Sequence, residues 1–271
     1  MTGHTRVSAG SVRTRSDRAR LRAARALSIL ALATVLASTG APHPARAETP
    51  SEDALALIAR YHEDPARIDR ACDALESALQ RERAVETLIA LSRVYLLLGD
   101  VRASTSEAKL AAYARGREMG QRAIELAPKS EDAHVWYAAN TGRWGQTKGV
   151  LRSLFLLSTI RRELDAVFAL NPASPRGHDI AGNVMLELPG FLGGDRAKAE
   201  EHFKKALDAD PHYTLARVDL ARVHIAAGRS REARQELQRV VDEPAPAYVA
   251  DFHVKDLPRA RALLETIRDR R

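Results

Sequence analysis

Beyond residue 47, apolar side chains recur every three or four positions, and no stretch alternates apolar and polar residues over the length of a strand. This spacing is typical of α-helices with one apolar face. Within residues 197–209, for example, Ala199, Phe203 and Ala206 fall on one face, and charged side chains occupy the other. We therefore predict an all-α fold. The predicted helices cover residues 51–62, 65–81, 84–98, 106–127, 131–143, 149–170, 177–188, 195–209, 213–227, 230–242 and 256–269.

The same segment carries the spacing of a helical repeat. Ala199, Phe203, Ala206 and Pro211 follow the pattern small-x3-aromatic-x2-small-x4-Pro, which is typical of the second helix of a tetratricopeptide repeat (TPR). Small residues let two antiparallel helices approach, the aromatic ring fills the adjoining groove, and the proline ends the unit. The following segment keeps the 34-residue frame, with apolar or small residues at the expected places: Leu220, Ala221, Gly228, Ala233 and Leu237.

Weaker copies of the pattern occur upstream. Residues 123–128 and 167–172 end as residues 206–211 do, with an apolar helix followed by proline. Gly99 and Asp100 indicate a turn between helices, and insertions are expected at about 100–106 and 143–149. These repeats predict one α-solenoid domain of antiparallel TPR-like hairpins over residues 48–271. Residues 243–255 then form a proline-interrupted connection to a capping helix at about 256–269.

The N-terminal residues have a different pattern. Residues 1–25 are rich in arginine, a short apolar run covers residues 26–37, and Ala45-Arg46-Ala47 follows two prolines. A basic segment, a short apolar segment and an A-x-A end are typical of a cleavable secretory signal peptide. We predict cleavage between Ala47 and Glu48 and a periplasmic or secreted protein. The alternative is an uncleaved anchor helix, although the apolar run is shorter than the ~20 residues that span a bilayer.

Charge and cysteine content limit the possible partners of the chain and its possible attachment to a membrane. Residues 1–47 hold eight of the 42 lysines and arginines, and the rest of the chain carries 34 bases and 34 acids. Because nucleic-acid affinity depends on Lys and Arg contacts to phosphates, this balance predicts no nucleic-acid partner. Glu48 stands where a lipoprotein would have cysteine, and no later segment predicts stable membrane insertion. The one cysteine, Cys72, is interpreted as a buried apolar residue on a helix face.

Two motifs go beyond a generic repeat. Residues 134–145 read HVWYAANTGRWG, and residues 188–195 read LPGFLGGD. Together they resemble the TPR proteins associated with TRAP transporters, the T-component (TatT) family, over roughly residues 60–270. The resemblance implies a periplasmic accessory protein that docks the solute-binding protein of a TRAP-type transport system. It also implies a subunit that can form homo-oligomers and pass a small apolar or organic-acid ligand through a cleft or pore.

A second resemblance concerns the helix at residues 131–144 and the long helix after it. These are similar to the eukaryotic regulator of microtubule dynamics TPR proteins. The predicted signal peptide argues against that cellular role here. The chain also departs from many T-component proteins, since it lacks the lipoprotein cysteine that would tether it to a membrane.

The first candidate binding site is the 134–145 segment. Trp136, Asn140 and Arg143 follow one another at helical spacing, and Tyr137 and Trp144 lie beside them. An indole, an amide and a guanidinium on one face suit a ligand that bears a carboxylate. The favoured alternative is that the aromatic rings fill grooves between helices and that Asn140 caps a neighbouring backbone.

The second candidate is the glycine-rich loop, where Phe191 and Leu192 form either a hydrophobic tip for a partner or, as favoured, side chains tucked beneath the solenoid. Asp195 is predicted to cap the next helix. The most apolar helix, residues 150–164, is either an oligomer face, a ligand-channel wall, a membrane-surface patch or, as favoured, a helix buried on two sides.

No motif in the chain indicates catalysis. H-E-x-x-H, C-x-x-C, G-x-S-x-G and G-x-G-x-x-G are all absent, and no two histidines are spaced four apart on a helix. We therefore predict no enzyme, no catalytic residue, no cofactor and no metal. The primary hypothesis is an exported TPR scaffold for a protein partner. The alternatives are a binding protein for an organic acid or lipid-like ligand, and a generic TPR scaffold in envelope assembly.

Overall fold

The computed structural model describes residues 49–81 and 83–269, and the predicted signal peptide lies outside the described residues. All regular structure in these ranges is helical, which confirms the all-α solenoid. The α-helices are α1 Pro50–Ala59, α2 Ala66–Arg81, α3 Val85–Leu97, α4 Ser106–Leu126, α5 Glu131–Lys148, α6 Leu157–Leu170, α7 Pro175–Glu187, α8 Arg196–Ala209, α9 Thr214–Ala226, α10 Ser230–Val241 and α11 Leu257–Thr266. Five shorter segments join them: the α-helical turn Val249–Asp251, the π-helical turns Leu98–Arg102 and Phe252–Asp256, and the 3-10 segments Val150–Leu156 and Gly190–Leu192.

Side-chain caps and prolines set the ends of these helices. Asp195 accepts hydrogen bonds from the backbone N–H groups of Ala197 and Lys198, at 3.0 and 3.1 Å, so it caps α8 as predicted. The helices α4, α6 and α8 end just before the prolines that follow them in the sequence, as the repeat pattern requires. The pattern therefore placed these hairpins correctly.

The TPR spacing has its expected packing role. Ala199, Phe203 and Ala206 are each 0% exposed. The Phe203 ring lies against Gly182 of α7 so closely that a Cβ on Gly182 would lie 2.7 Å from Phe203 Cε1. Any larger residue at position 182 would separate α7 from α8. In the next repeat, Gly228 takes a φ of 73° in the turn between α9 and α10, where a Cβ is disfavoured.

The helices pair into hairpins, and the hairpins stack. The helix α4 packs on both α3 and α5, and α7 packs on α8 and α9 on α10. The odd-numbered helices from α1 to α9 also contact one another in succession and form an inner row. The even-numbered helices lie against this row, so one side of the solenoid is built from the faces of α3, α5, α7 and α9.

The segment before α11 does more than connect two helices. The helix α11 packs on α10, as a capping helix should. The preceding residues, however, reach the first helical hairpin: the Tyr61 hydroxyl donates to Asp251 Oδ1 at 2.8 Å across 190 residues of sequence. His253 also stacks on His62, with 5.2 Å between the ring centres. The segment 248–256 thus ties the last repeat to the first.

Two local predictions need correction. The expected insertion at 143–149 is helical, because α5 continues to Lys148 and ends at Gly149, whose φ is 103°. The predicted helix 149–170 divides into a 3-10 segment and α6. Gly99 does lie between two helices as predicted, in the π-helical turn that follows α3, and it is buried against the ring of Tyr113.

Cys72 lies in the core formed by the first two hairpins, with 8% of its surface exposed. Burial raises the pKa of its thiol to about 11. No helix in the described ranges has both the length and the apolar character needed to cross a bilayer.

Candidate functional site: a cleft along the inner helices

A cleft of about 460 Å³ runs along the inner row of helices. Residues from α3, α5, α6, α7, α9 and the segment 248–256 line it. One wall is apolar and includes Leu96, Ala139, Leu154, Leu157, Ile160, Ile180, Val184 and Leu188. The volume is within the ~300–1,000 Å³ usual for small-molecule sites. The solenoid therefore encloses a site of ligand size instead of a flat inner surface.

Trp136 lies in this cleft between helices α3 and α7. The guanidinium carbon of Arg93 is 5.3 Å from the centre of its ring, and that of Arg176 is 5.0 Å away. Arg176 also lies 5.2 Å from the ring centre of Tyr248. These distances are those of cation–π contacts, which hold both guanidinium groups at the cleft.

A charged network joins the cleft to the closing segment. Arg143 Nε lies 3.3 Å from Asp100 Oδ1, and Lys255 Nζ lies 3.6 Å from Asp100 Oδ2. Lys255 also pairs with Asp251 at 2.7 Å. Asp100 raises the pKa of Arg143, and although burial opposes the charge of Lys255, Asp251 and Asp100 raise the pKa of that amine. These ion pairs hold the segment 248–256 against the inner helices.

A second cluster, on α7 and α9, is dominated by acids. Asp219 accepts from Asn183 at 2.9 Å and pairs with Arg222 at 3.1 Å and Arg259 at 3.3 Å. Asp179 is 5% exposed, and its Oδ1 atom has no hydrogen-bond partner among the described residues. Burial, and then the charge of Asp219, raise the pKa of Asp179 well above its ordinary range. This cluster therefore has a carboxyl group that favours its neutral form.

Asp256 extends the acidic cluster from the C-terminal side. Its Oδ2 atom accepts a 2.7 Å hydrogen bond from the hydroxyl of Thr214, and only 2% of the residue is exposed. Burial raises its pKa to about 6. Its charge therefore changes close to neutral pH, in contact with the cleft.

Five of the seven predicted site residues do not line the cleft, and two of these, Asn140 and Tyr137, are buried between helices. The Asn140 side chain is 0% exposed, and its Nδ2 donates to the carbonyl oxygens of Ser92 and Trp136, both at 2.9 Å. A Cβ on Gly116 would lie 2.2 Å from Asn140 Oδ1, so the amide fills a close contact between helices. Tyr137 is 8% exposed and packs against Gly120. The structure thus does not place Asn140 on a ligand-facing surface beside Trp136.

The remaining predicted residues of the 134–145 segment lie at two places. Trp136 and Arg143 line the cleft. Trp144 is half-buried and lies outside the cleft. The guanidinium carbon of Arg117 is 5.6 Å from the centre of its ring, and the amine nitrogen of Lys148 is 5.9 Å away.

The glycine-rich loop differs from its favoured interpretation. Phe191 is 85% exposed and does not tuck beneath the solenoid, while Leu192 is half-buried. Gly193 takes a φ of 97°, and a Cβ there would lie 3.0 Å from Arg161 Nη2, so the loop lies beside α6. A Cβ on Gly194 would lie 1.8 Å from the Leu188 carbonyl oxygen, which explains why the loop needs glycine.

The apolar helix predicted at 150–164 is shared between two surfaces. Leu154, Leu157 and Ile160 line the cleft. Leu151 and Phe155 are each 66% exposed, so the segment is not buried on two sides. The channel-wall interpretation fits the first set, and the second set belongs to the outer surface.

Sequence reasoning missed several residues of the cleft. Arg93, Arg176, Asp179, Asp219 and Lys255 all line it. On α7 and α9 the polar residues recur at helical spacing on an otherwise apolar face, and this recurrence was the one available signal. It does not distinguish a buried polar stripe from a solvated one.

A recurring contact links three of the repeats. His134, His178 and Arg217 each lie six residues after a helix-ending proline, and each contacts that proline's carbonyl oxygen, at 3.1, 3.0 and 2.8 Å. The other end of His134 meets Glu163 at 2.6 Å, and that of Arg217 meets Glu236 at 2.9 Å.

The middle repeat departs from this arrangement. Nδ1 of His178 faces Nδ1 of His202 at 3.0 Å, and no carboxylate takes the place of Glu163 or Glu236. Because Nε2 of His178 must donate to the Pro172 carbonyl, its neutral Nδ1 accepts and His202 donates. Burial lowers the pKa of both rings. Across the described ranges, no three His, Cys, Asp or Glu side chains are grouped to hold a metal ion.

Comparison with known proteins supports the repeat architecture. A tetratricopeptide-repeat family model matches residues 191–253, and the model for regulator of microtubule dynamics protein 1-3 matches residues 53–186. Regulator of microtubule dynamics protein 3 of Rattus norvegicus is 24% identical over 192 residues, which cover 64% of this chain and 40% of the relative. Regulator of microtubule dynamics protein 2 of the same species is 26% identical over 165 residues, covering 55% and 40%. The chain thus spans about two fifths of the length of these relatives.

Solved structures show the same fold. A thermophilic TPR protein of Thermus thermophilus superimposes with a TM-score of 0.59 and 21% identity, covering 79% of this chain and 99% of that one. PilW, a type IV pilus biogenesis factor, gives a TM-score of 0.50 and 17% identity, covering 82% and 94%. The repeats, their packing and these matches define an α-solenoid of the tetratricopeptide-repeat type. Over residues 53–186 it is similar in sequence to the regulators of microtubule dynamics.

Proposed function

We propose that this chain is an exported, non-catalytic TPR scaffold that docks a protein partner. The observation that carries the proposal is a set of large apolar side chains left on the surface. Leu151 and Phe155 are 66% exposed and Phe191 is 85% exposed. We call these three residues the apolar surface. Exposed apolar groups that gather in one region are typical of protein-binding sites.

The loop geometry supports treating these residues as one region. The glycine-rich loop that carries Phe191 lies beside Arg161 of α6. The 3-10 segment that carries Leu151 and Phe155 leads directly into α6. A protein partner that contacts this end of α6 can therefore cover all three side chains.

The finer proposal is that the partner is the solute-binding protein of a TRAP-type transport system. It is supported by the resemblance of residues 134–145 and 188–195 to the T-component proteins and by the signal-peptide pattern of residues 1–47. The regulators of microtubule dynamics bear a name that concerns microtubules. Because the identity is 24% and the match covers two fifths of their length, we infer from them a scaffold role for this chain and no particular partner.

The test uses cells that produce the tagged chain. Crosslinking in the periplasm and mass spectrometry should recover a solute-binding protein, and the recovered chain should begin at Glu48. Replacing Phe155→Ser and Phe191→Ser together should abolish the capture. Leu126→Ser is the matched control, because Leu126 is 56% exposed on α4 and lies outside the apolar surface.

Either of two results would overturn the proposal. One is an absence of any exported protein above background. The other is capture that survives the double replacement. Recovery of envelope-assembly proteins instead would leave a TPR scaffold and remove the transport role.

A second candidate function is the binding of a small ligand. The cleft favours it, because its apolar wall and its buried polar groups enclose about 460 Å³ on the inner side of the solenoid. Ligand binding and partner docking use different surfaces, so one protein can perform both. A ligand that binds only the folded chain stabilises it by an amount that grows with the logarithm of the ligand concentration above the Kd. Thermal unfolding in the presence of organic acids and lipids tests this candidate.

A further inference from the structure

The charge of Arg93 is not neutralised. Its guanidinium group lies in the cleft over Trp136, and no carboxylate of residues 49–81 or 83–269 forms an ion pair with it. The nearby Asp251 is engaged by Lys255 at 2.7 Å and by the hydroxyl of Tyr61 at 2.8 Å. Burial, opposed by Asp251 and reinforced by Arg176, lowers the pKa of Arg93. Arg93 is half-buried, and a partly buried cation without an ion-pair partner favours an anion beside it.

Arg176 adds a second positive group at the same ring. Among the described residues its ion-pair partner is Asp132, at 2.9 Å, and the Asp132 side chain is 54% exposed. Solvent screens a pair of that kind. Of the two guanidinium groups at Trp136, only that of Arg176 is paired, and its partner is the half-exposed carboxylate of Asp132. About one positive charge is therefore available to bind a ligand.

The surroundings limit the charge that this ligand can carry. Six acidic side chains line the cleft together with six basic ones: Asp100, Asp179, Glu187, Asp219, Asp251 and Asp256. Asp179 favours its neutral form, but the carboxylates of Asp100, Asp219 and Asp251 would repel a second negative charge on the ligand. The balance therefore suits a monoanion better than a dianion such as a phosphate monoester.

The rest of the ligand meets hydrocarbon. The wall of the same cleft is formed by Leu154, Leu157, Ile160, Ile180 and Val184 from α6, its preceding 3-10 segment and α7. Burying a chain of methylene groups against such a wall contributes about 0.8 kcal/mol per group. The two guanidinium groups at Trp136 suit the carboxylate of an amphipathic acid, and the apolar wall suits its hydrocarbon tail.

We propose that the cleft binds a monocarboxylic acid with an aliphatic tail, its carboxylate held by Arg93 and Arg176 over Trp136 and its tail against the α6–α7 wall. This inference rests on the ligand-binding role of the cleft and is independent of partner docking. Arg guanidinium groups bind carboxylates through paired N–H donors, which gives the site its selectivity for the acid.

The experiment is isothermal titration of the purified chain with octanoate, butyrate, octanol and octylammonium. Octanoate is expected to bind, with butyrate, octanol and octylammonium each at least ten-fold weaker. Arg93→Gln is expected to lower octanoate affinity at least ten-fold without loss of folding, since it removes a partly buried charge that has no ion-pair partner among the described residues. The matched control is Arg231→Gln, because Arg231 is exposed on α10 and does not line the cleft.

A second readout locates the ligand. The chain has two tryptophans, and Trp144 lies outside the cleft, so Trp144→Phe leaves Trp136 as the one fluorophore. Octanoate should then change the emission of Trp136, and Arg176→Gln should reduce that change.

The outcomes separate the inference from the role on which it rests. If octanoate affinity is unchanged by Arg93→Gln, or if octanol binds as tightly as octanoate, the proposed carboxylate-binding role of Arg93 and Arg176 is wrong. The cleft would still be a ligand-binding site. No binding by any of the four compounds overturns both. Neither result bears on the crosslinking of a protein partner.

Discussion

The side chain of Asn140 donates to the main-chain carbonyl oxygen of Ser92, 48 residues earlier, at 2.9 Å. The contact joins α5 to α3 within the inner row of helices. The same amide also donates to the carbonyl oxygen of Trp136, and the residue is fully buried. Asn140 therefore positions Trp136 at the cleft without contacting a ligand itself.

We expect Asn140→Ala to destabilise the fold by about 2–4 kcal/mol, because it removes buried side-chain hydrogen bonds between α5 and α3 and opens a cavity beside Gly116. Urea denaturation measures the change. Gln146→Ala, at an exposed site on the same helix, should cost less than about 0.5 kcal/mol. Equal stabilities for the two variants would refute this role for Asn140.

The closing segment gives a second prediction. Tyr61→Phe removes the donor to Asp251, so we expect faster amide hydrogen exchange in residues 248–256 and a loss of about 1–2 kcal/mol. Tyr95→Phe is the control, because its hydroxyl bonds Glu76 and so links α2 to α3 instead. Exchange in 248–256 that responds alike to both variants would show that the tie to α1 does not hold the segment.

Asp256 predicts a dependence of stability on pH. Its pKa is raised to about 6 in the folded chain, above the ~3.9 of a free aspartate, so the folded state binds more protons in that window. Its contribution is therefore most favourable below about pH 4 and is lost as pH rises through 6. Asp256→Asn should be more stable than the wild type at pH 7.5, by about 1–3 kcal/mol, and equal to it near pH 4. A variant less stable at pH 7.5 would contradict this assignment.

The pair of His178 and His202 predicts a pH dependence of stability with the opposite sign to that of Asp256. Burial lowers both pKa values, so the folded state binds fewer protons than the unfolded chain below a pH of about 6.5. Stability from this pair is complete above that pH and is lost on acidification. His202→Asn keeps a donor near His178 and removes one titrating ring, so it should flatten the pH dependence of stability below a pH of about 6.5. Unfolding curves at several pH values measure this, with the exposed His253→Asn as control. Identical slopes in wild type and His202→Asn would rule the pair out.

The fold was predictable where local signals repeat. The Ala199-Phe203-Ala206 spacing and the helix-ending prolines identify hairpins, since packing demands the same small and aromatic residues in each repeat. The contact between Tyr61 and Asp251 has no such signal, because it joins residues 190 apart that belong to no common pattern. The closing of the inner side was therefore not foreseen.

The candidate site was predictable only in part. Trp136 and Arg143 line the cleft. Asn140 is about one helical turn from each of them, but its side chain lies in the contact with Gly116. Spacing places residues on one face of a helix but does not say which neighbour that face meets. Arg93 and Arg176 come from other helices, and only the stacking of α3, α5 and α7 brings them to one ring.

The most direct measurement for the proposed scaffold uses a photoreactive phenylalanine analogue at position 155, on the apolar surface. Irradiation of intact cells, followed by mass spectrometry of the adducts, identifies what contacts this residue. The account predicts an adduct with a TRAP-type solute-binding protein, and none when the analogue stands at exposed position 126. No adduct at position 155, or the same adducts at both positions, would contradict it.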